Sequence, residues 1–164
     1  MEQSSSDFRT AAVFGASGGI GRALSAALVE RGLAVWAGSR SGEELVEGAR
    51  PFRFDLGDED SIRQATDLMR DDPPDLVIVA TGVLTLSDGT SPERSFKAID
   101  GAAMAQMFAA NTIGPALIAK HMLPLLPRDR RCMFAALSAR VGSIGDNRLG
   151  GWHSYRASKA ALNM

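Results

Sequence analysis

Five short apolar runs punctuate the chain, at 11–14, 33–37, 52–54, 76–80 and 132–137. Each is nearly continuous rather than alternating, the pattern of strands covered on both faces by helices. Between them apolar positions recur at helical spacing over 19–31, weakly over 42–47, and again over 61–70 and 99–122. A last helical pattern occupies 155–164. This alternation predicts an α/β fold, a doubly wound parallel sheet of the Rossmann type, and right-handed crossovers set its strand order at 3-2-1-4-5. Neither an internal repeat nor a linker interrupts it. Residues 1–8 are expected to form a disordered lead and residues 9–164 a single domain.

The punctuation between runs agrees with these limits. Gly32 suits the end of the first helix, Asp58 can cap the helix at 61–70, and Pro73-Pro74 separates that helix from the fourth strand. Pro124 and Pro127 close the long helix. The far end reads differently. The run at 132–137 has the character of a central strand, yet no later strand is available to cover its edge, and the last helix stops without returning to the sheet. The expectation is a domain incomplete at its C-terminal end, or one completed against a partner.

Composition narrows the function classes. With 18 basic and 19 acidic residues the net charge is -1, which gives no footprint for nucleic acid or an anionic membrane. One cysteine, Cys132, excludes an internal disulfide and reads as a buried, inert thiol. His121 and His153 have no partners at metal-ligand spacing and read as packing or surface residues, so no metal site is expected. No run approaches the roughly 18 consecutive apolar residues of a membrane span, and the polar N-terminus lacks the regions of a signal peptide. The expected location is cytoplasmic.

The first strand feeds Gly15-Ala16-Ser17-Gly18-Gly19-Ile20-Gly21, which opens the first helix. Strand, glycine-rich turn and helix start together present free N–H groups to a diphosphate, and glycines remove the Cβ atoms that would keep its oxygens away. The spacing is G-x-x-x-G-x-G, distinct from the G-x-G-x-x-G fingerprint. Near the other end, Tyr155 and Lys159 stand four residues apart on the last helix and so share a face. A free phenol titrates near pH ~10, and a neighbouring cation can lower an acid's pKa by roughly 1–3, toward the range a general acid/base needs.

Taken jointly, Gly15-x-x-x-Gly19-x-Gly21 and Tyr155-x-x-x-Lys159 resemble the short-chain dehydrogenase/reductase family over essentially the whole chain from Thr10 onward. The stretch from Leu137 to Ile144, with Trp152 to Met164, is most similar to its C-factor (C-signal) subgroup. The resemblance implies that Tyr155 donates and accepts the proton. It implies that Lys159 lowers the phenol's pKa and holds the nicotinamide ribose, that Ser138 polarises the substrate carbonyl, and that Asn111 completes a tetrad through a bound water. Ser138 lies further before Tyr155 than is usual in the family. Ser143 fits the usual spacing by count, but Ser138 is preferred because it directly follows the strand. Asn111 has an argument of its own: Pro115, four residues on, has no N–H for the Asn111 carbonyl, so a helix running through this point kinks and leaves a carbonyl to hold a water. A simple helix break at Gly114-Pro115 is the alternative.

The cofactor implied is a nicotinamide dinucleotide, bound by Gly15, Ser17, Gly18, Gly19, Ile20 and Gly21 and, further on, by Tyr155 and Lys159. The second strand ends in Gly38-Ser39-Arg40 rather than in an acidic residue, so Ser39 and Arg40 favour the 2′-phosphate of NADP over NAD. Asp55 and Leu56 resemble the family's adenine-contacting pair. Ala80-Thr81-Gly82 departs from its usual Asn-Ala-Gly, which bears more on the bonds holding that loop than on its binding role. Met104, Met107, Phe108 and Met122 on the long helix read as core or interface, compatible with the homo-oligomers, dimers or tetramers, that the family forms. The expected activity is NADP-dependent hydride transfer between the nicotinamide and a small-molecule carbonyl or alcohol. The alternative is a dinucleotide-binding protein, signalling or inactive, that turns nothing over.

Overall fold

The computed structural model describes residues 8–164. Five parallel strands, β1 (Thr10–Phe14), β2 (Ala34–Ser39), β3 (Arg50–Arg53), β4 (Leu76–Val79) and β5 (Met133–Ala136), form one sheet in the order β3-β2-β1-β4-β5. This is the expected order. The helices are α1 (Gly19–Glu30), α2 (Glu59–Asp67), α3 (Gly101–Phe108), α4 (Gly114–Met122) and α5 (His153–Asn163). Residues 1–7 of the expected lead lie outside the described residues. Phe8, assigned to that lead, instead packs on the apolar cluster around Leu33 and Val35.

Why the strands look uniformly apolar is plain from β1, whose five residues are all buried. Alternate side chains point to opposite faces. Ala12 and Phe14 join Ile62, Met69, Ile118 and Met122 beneath α2 and α4, while Ala11 and Val13 join Leu33, Val35 and the apolar side of α1. On the first face Phe14 meets Phe52 and Phe54 edge-on, each at 5.1 Å between centroids. Burying such a ring contributes about 1.5–3 kcal/mol, and each aromatic pair adds about 0.5–1.5 kcal/mol. The start of β1 is tied to β4 by the buried Asp75 carboxylate, which accepts the N–H groups of Arg9 and Thr10 at 3.0–3.1 Å.

Local chemistry sets the helix ends. Gly32, at φ +82°, closes α1 by donating its N–H to the Val29 carbonyl. Asp58 caps α2, accepting the N–H groups of Asp60 and Ser61, so the helix begins two residues before the apolar periodicity does. The weak helix expected over 42–47 is absent. Gly42 takes φ +70° and gives its N–H to the Ser39 hydroxyl, and Glu43 gives its own to Ser41, so these serines hold the chain in a turn. Asp100 caps α3 through the Ala103 N–H.

The long helix is not uniform. Residues Ala109–Ile113 form a π turn in which the Gly114 N–H reaches back five residues to Ala109. Pro115 lacks the N–H that an α-helix would need there, and the wider turn accommodates it. With its flanking turns the run Gly101–Leu125 is 25 residues long, and by length and composition alone it is apolar enough to cross a membrane. It is not a run of consecutive apolar residues, since Gln106, Asn111, Thr112, Lys120 and His121 interrupt it. In this fold Ile118 and Met122 bury against the sheet, and Asn111 at the centre is fully buried and hydrogen-bonded. Cys132, expected buried, is only partly so, its thiol on the Pro127 carbonyl.

Candidate functional site: a dinucleotide cleft with a buried lysine

The order of the strands reverses between β1 and β4, and a cleft of about 550 Å³ opens there at the strands' carboxyl ends. Gly15, Ser17 and Gly18 form one wall, Ser39 and Arg40 the far end, Asp55 and Leu56 a side, and Ala80, Thr81 and Gly82 the opposite side. Gly19, Ile20, Gly21, Tyr155, Lys159, Asn111 and Ser138 do not line it.

The glycine turn is built from backbone. Gly15 and Ala16 both donate to the Gly38 carbonyl, at 3.0 and 2.8 Å, which pins the turn to the end of β2. Gly21 is where α1 crosses closest to the turn: a Cβ there would stand 2.2 Å from the Gly15 carbonyl oxygen. Only glycine permits that approach. Residues 17–20 remain exposed above it, α1 has no side-chain cap at Gly18, and its first turn carries no acidic residue. Free N–H groups and the positive end of the helix dipole are thus left for an anion.

At the far end Arg40 is exposed, and no carboxylate pairs with it among the described residues. The Ser39 hydroxyl beside it accepts the Gly42 N–H at 3.0 Å and stands 3.3 Å from the Ser41 hydroxyl. Asp55 accepts the Gly57 N–H, and Leu56 packs against Gly114 at the start of α4. Across the cleft the Thr81 hydroxyl is buried without a hydrogen-bond partner. An orphaned donor on the wall, a bare helix start and a glycine turn with no Cβ in the way fit a dinucleotide.

Asn111, Gly82 and Lys159 converge behind the cleft. Val83 donates to Asn111 Oδ1 at 2.8 Å, and Asn111 Nδ2 donates to the Val83 carbonyl at 2.9 Å and to Ser158 Oγ at 3.1 Å. Ser158 in turn donates to the Tyr155 carbonyl, and the Thr112 hydroxyl to the Ser158 carbonyl. Asn111 thereby locks the loop after β4 to α5. A Cβ on Gly82 would stand 3.1 Å from both Asn111 Oδ1 and Lys159 Nζ, so the amide oxygen and the ammonium flank the same backbone point. Ser158 was not found from the sequence. Its signal was present in hindsight only as a small polar residue beside Lys159 on the buried side of the helix.

Lys159 is almost fully buried, and its Nζ donates to the Leu137 carbonyl at 2.9 Å. Burial lowers its pKa below the ordinary lysine value. Tyr155 is half-buried, its ring edge-on to Trp152 at 6.3 Å, and burial raises the phenol above its ordinary value. The expectation that Lys159 lowers this pKa is thus not met. The ammonium is committed to Leu137, and desolvation is what acts on the phenol. Ser138 follows Leu137 at the end of β5, exposed, its hydroxyl donating to Asn163 Oδ1 at 2.6 Å. Ser143 lies in the next turn and accepts the Asp146 N–H. His121 pairs with Glu59, away from the cleft.

A parallel sheet with this strand order and a glycine turn at its switch point defines a Rossmann dinucleotide-binding domain. Comparison with known proteins makes the class specific: the family model for short chain dehydrogenases matches residues 9–164, and the chain belongs to that family. It is similar to C-signal of Myxococcus xanthus, 42% identical over 66 residues, or 40% of each chain, so the match spans less than half of that relative. A short-chain dehydrogenase/reductase structure from Burkholderia multivorans with bound NADP superposes with TM-score 0.84 at 25% identity, covering 95% of this chain and 69% of that one. A carbonyl reductase from Pseudomonas aeruginosa PAO1 in complex with NADP gives 0.80 at 26%, covering 94% and 69%.

Proposed function

We propose that the protein is an NADP-dependent oxidoreductase that acts on a carbonyl or alcohol substrate, with Tyr155 exchanging the proton. The observation that carries this reading is the convergence of Asn111 Oδ1 and Lys159 Nζ on Gly82, at the edge of a cleft with room for a dinucleotide. When bound, the nicotinamide dinucleotide supplies or accepts the hydride. The exposed backbone N–H groups of residues 17, 19 and 20 would hold the diphosphate, Arg40 the 2′-phosphate and Lys159 the nicotinamide ribose hydroxyls. Tyr155, whose phenol carries its proton at neutral pH as an ordinary tyrosine does, is poised to give that proton to the alkoxide formed when a carbonyl is reduced. Ser138 orients that carbonyl once its hydroxyl turns from Asn163. The NADP-bound neighbours, one of them a carbonyl reductase, support this choice of cofactor and substrate class.

The likeness to C-signal favours a second reading, a dinucleotide-binding protein without turnover. Titration of NADPH fluorescence shows binding under both. Carbonyl-dependent NADPH oxidation that vanishes in Tyr155→Phe, with NADPH affinity retained, is expected under the first alone. Binding with no oxidation across a panel of ketones and aldehydes favours the second.

A further inference from the structure

The loop after β4 and the start of α5 are joined through one residue, Glu93. The Trp152 N–H donates to the Glu93 carbonyl at 2.6 Å, the Ser154 N–H to Glu93 Oε2 at 3.2 Å, and the Ser154 hydroxyl to Glu93 Oε1. The two segments lie 61 positions apart in the chain. The helix needs this help. Its N-cap is Trp152, at φ 53° the one non-glycine residue in the left-handed region among the described residues, and an indole accepts no N–H. A carboxylate from another part of the chain therefore stands where an Asp or Ser would ordinarily cap, and the helix dipole favours its charge. Burial pushes the Glu93 carboxyl up, but the Ser154 hydrogen bonds and the neighbouring His153 outweigh that and hold it below the ordinary glutamate value.

The consequence reaches Tyr155. Trp152, fixed in its unusual conformation through the Glu93 carbonyl, sets its indole edge-on to the tyrosine ring. We propose that Glu93 is a positioning residue: its carboxylate, by holding the N–H and hydroxyl of Ser154, fixes the first turn of α5 and with it the adjoining Tyr155 in the place from which the phenol exchanges its proton, while its carbonyl holds Trp152. The proposal rests on the acid/base reading of Tyr155. Leu86, in the same loop, borders both the dinucleotide cleft and a second cavity of about 340 Å³ lined by Glu93 and Ser154, so the anchored segment also separates these two spaces.

The chain holds a single tyrosine, so a sample carrying ring-¹³C-tyrosine reports on Tyr155 alone. In Glu93→Ala, which removes both carboxylate bonds to Ser154 and leaves the carbonyl bond to Trp152, its ring signal is expected to move toward that of an unstructured tyrosine. In Glu93→Gln, which keeps the shape and can still accept the Ser154 N–H, it is expected to stay near the wild-type position. Carbonyl-dependent kcat should fall on the order of 10–100-fold in Glu93→Ala, as misplacement of a reacting group does, and recover largely in Glu93→Gln while the NADPH Kd is unchanged throughout. An unmoved ring signal in Glu93→Ala, or a loss of NADPH affinity in step with kcat, overturns the proposal. Should Glu93→Ala fail to fold, Ser154→Ala removes only the hydroxyl bond: a smaller shift in the same direction supports the anchor, and no shift overturns it. If the wild type reduces no carbonyl, the acid/base reading fails while the ring signal still decides whether Glu93 holds Tyr155.

Discussion

The glycine turn in the cleft and the α5 region behind it are made in opposite ways. The glycine turn between β1 and α1 is local: seven consecutive residues, held by backbone bonds to Gly38, with side chains almost uninvolved. The region around α5 is assembled from distant pieces, with Asn111, Glu93, Leu137 and Ser158 each supplied by a different segment. At Gly21, where a Cβ would strike the Gly15 carbonyl, that local backbone site tolerates nothing added to it. A site made of long-range side-chain bonds loses them one at a time, so damage there is graded.

That contrast can be broken in either region. Gly21→Ala forces a Cβ to within 2.2 Å of the Gly15 oxygen, with backbone on both sides and no flexible atom to yield. A loss of about 3 kcal/mol or more is expected in urea unfolding, together with loss of NADPH binding. Asn111→Ala comes next. It leaves the Val83 N–H and carbonyl without their side-chain partners, a cost of about 2–3 kcal/mol by the same measurement, and it loosens the loop after β4 from α5. The smallest effect is at Arg40, which is exposed and makes no structural bond: Arg40→Ala should leave the unfolding midpoint unchanged and weaken NADPH about tenfold, with NADH little affected. Equal loss of both cofactors would place the 2′-phosphate elsewhere.

The same contrast explains what was legible in the sequence. β1, the turn and α1 could be read because every signal, apolar run, glycine spacing and helical periodicity, lies within about twenty residues of chain. The sheet order followed from the run pattern and handedness alone. The segment at 42–47 misled because its periodicity was helical while Ser39 and Ser41 captured the first N–H groups. Pro115 announced a disturbance in the long helix but not its form, a π turn that keeps the helix continuous. Glu93 and Ser158 were invisible because their partners lie far along the chain, and nothing in local spacing links Glu93 to residue 154. The sign of the Tyr155 shift was missed for the same reason. Four-residue spacing put Lys159 on the right face, but the Leu137 carbonyl, 22 positions away, decides where the ammonium points.

The central claim is that one dinucleotide joins these two regions, and a crystal structure of the NADPH complex tests it most directly. The account predicts the diphosphate against the exposed N–H groups at the start of α1, the 2′-phosphate at Arg40, and Lys159 Nζ moved from the Leu137 carbonyl to the nicotinamide ribose. A diphosphate seated away from the glycine turn, or a ribose out of reach of Lys159, would contradict it.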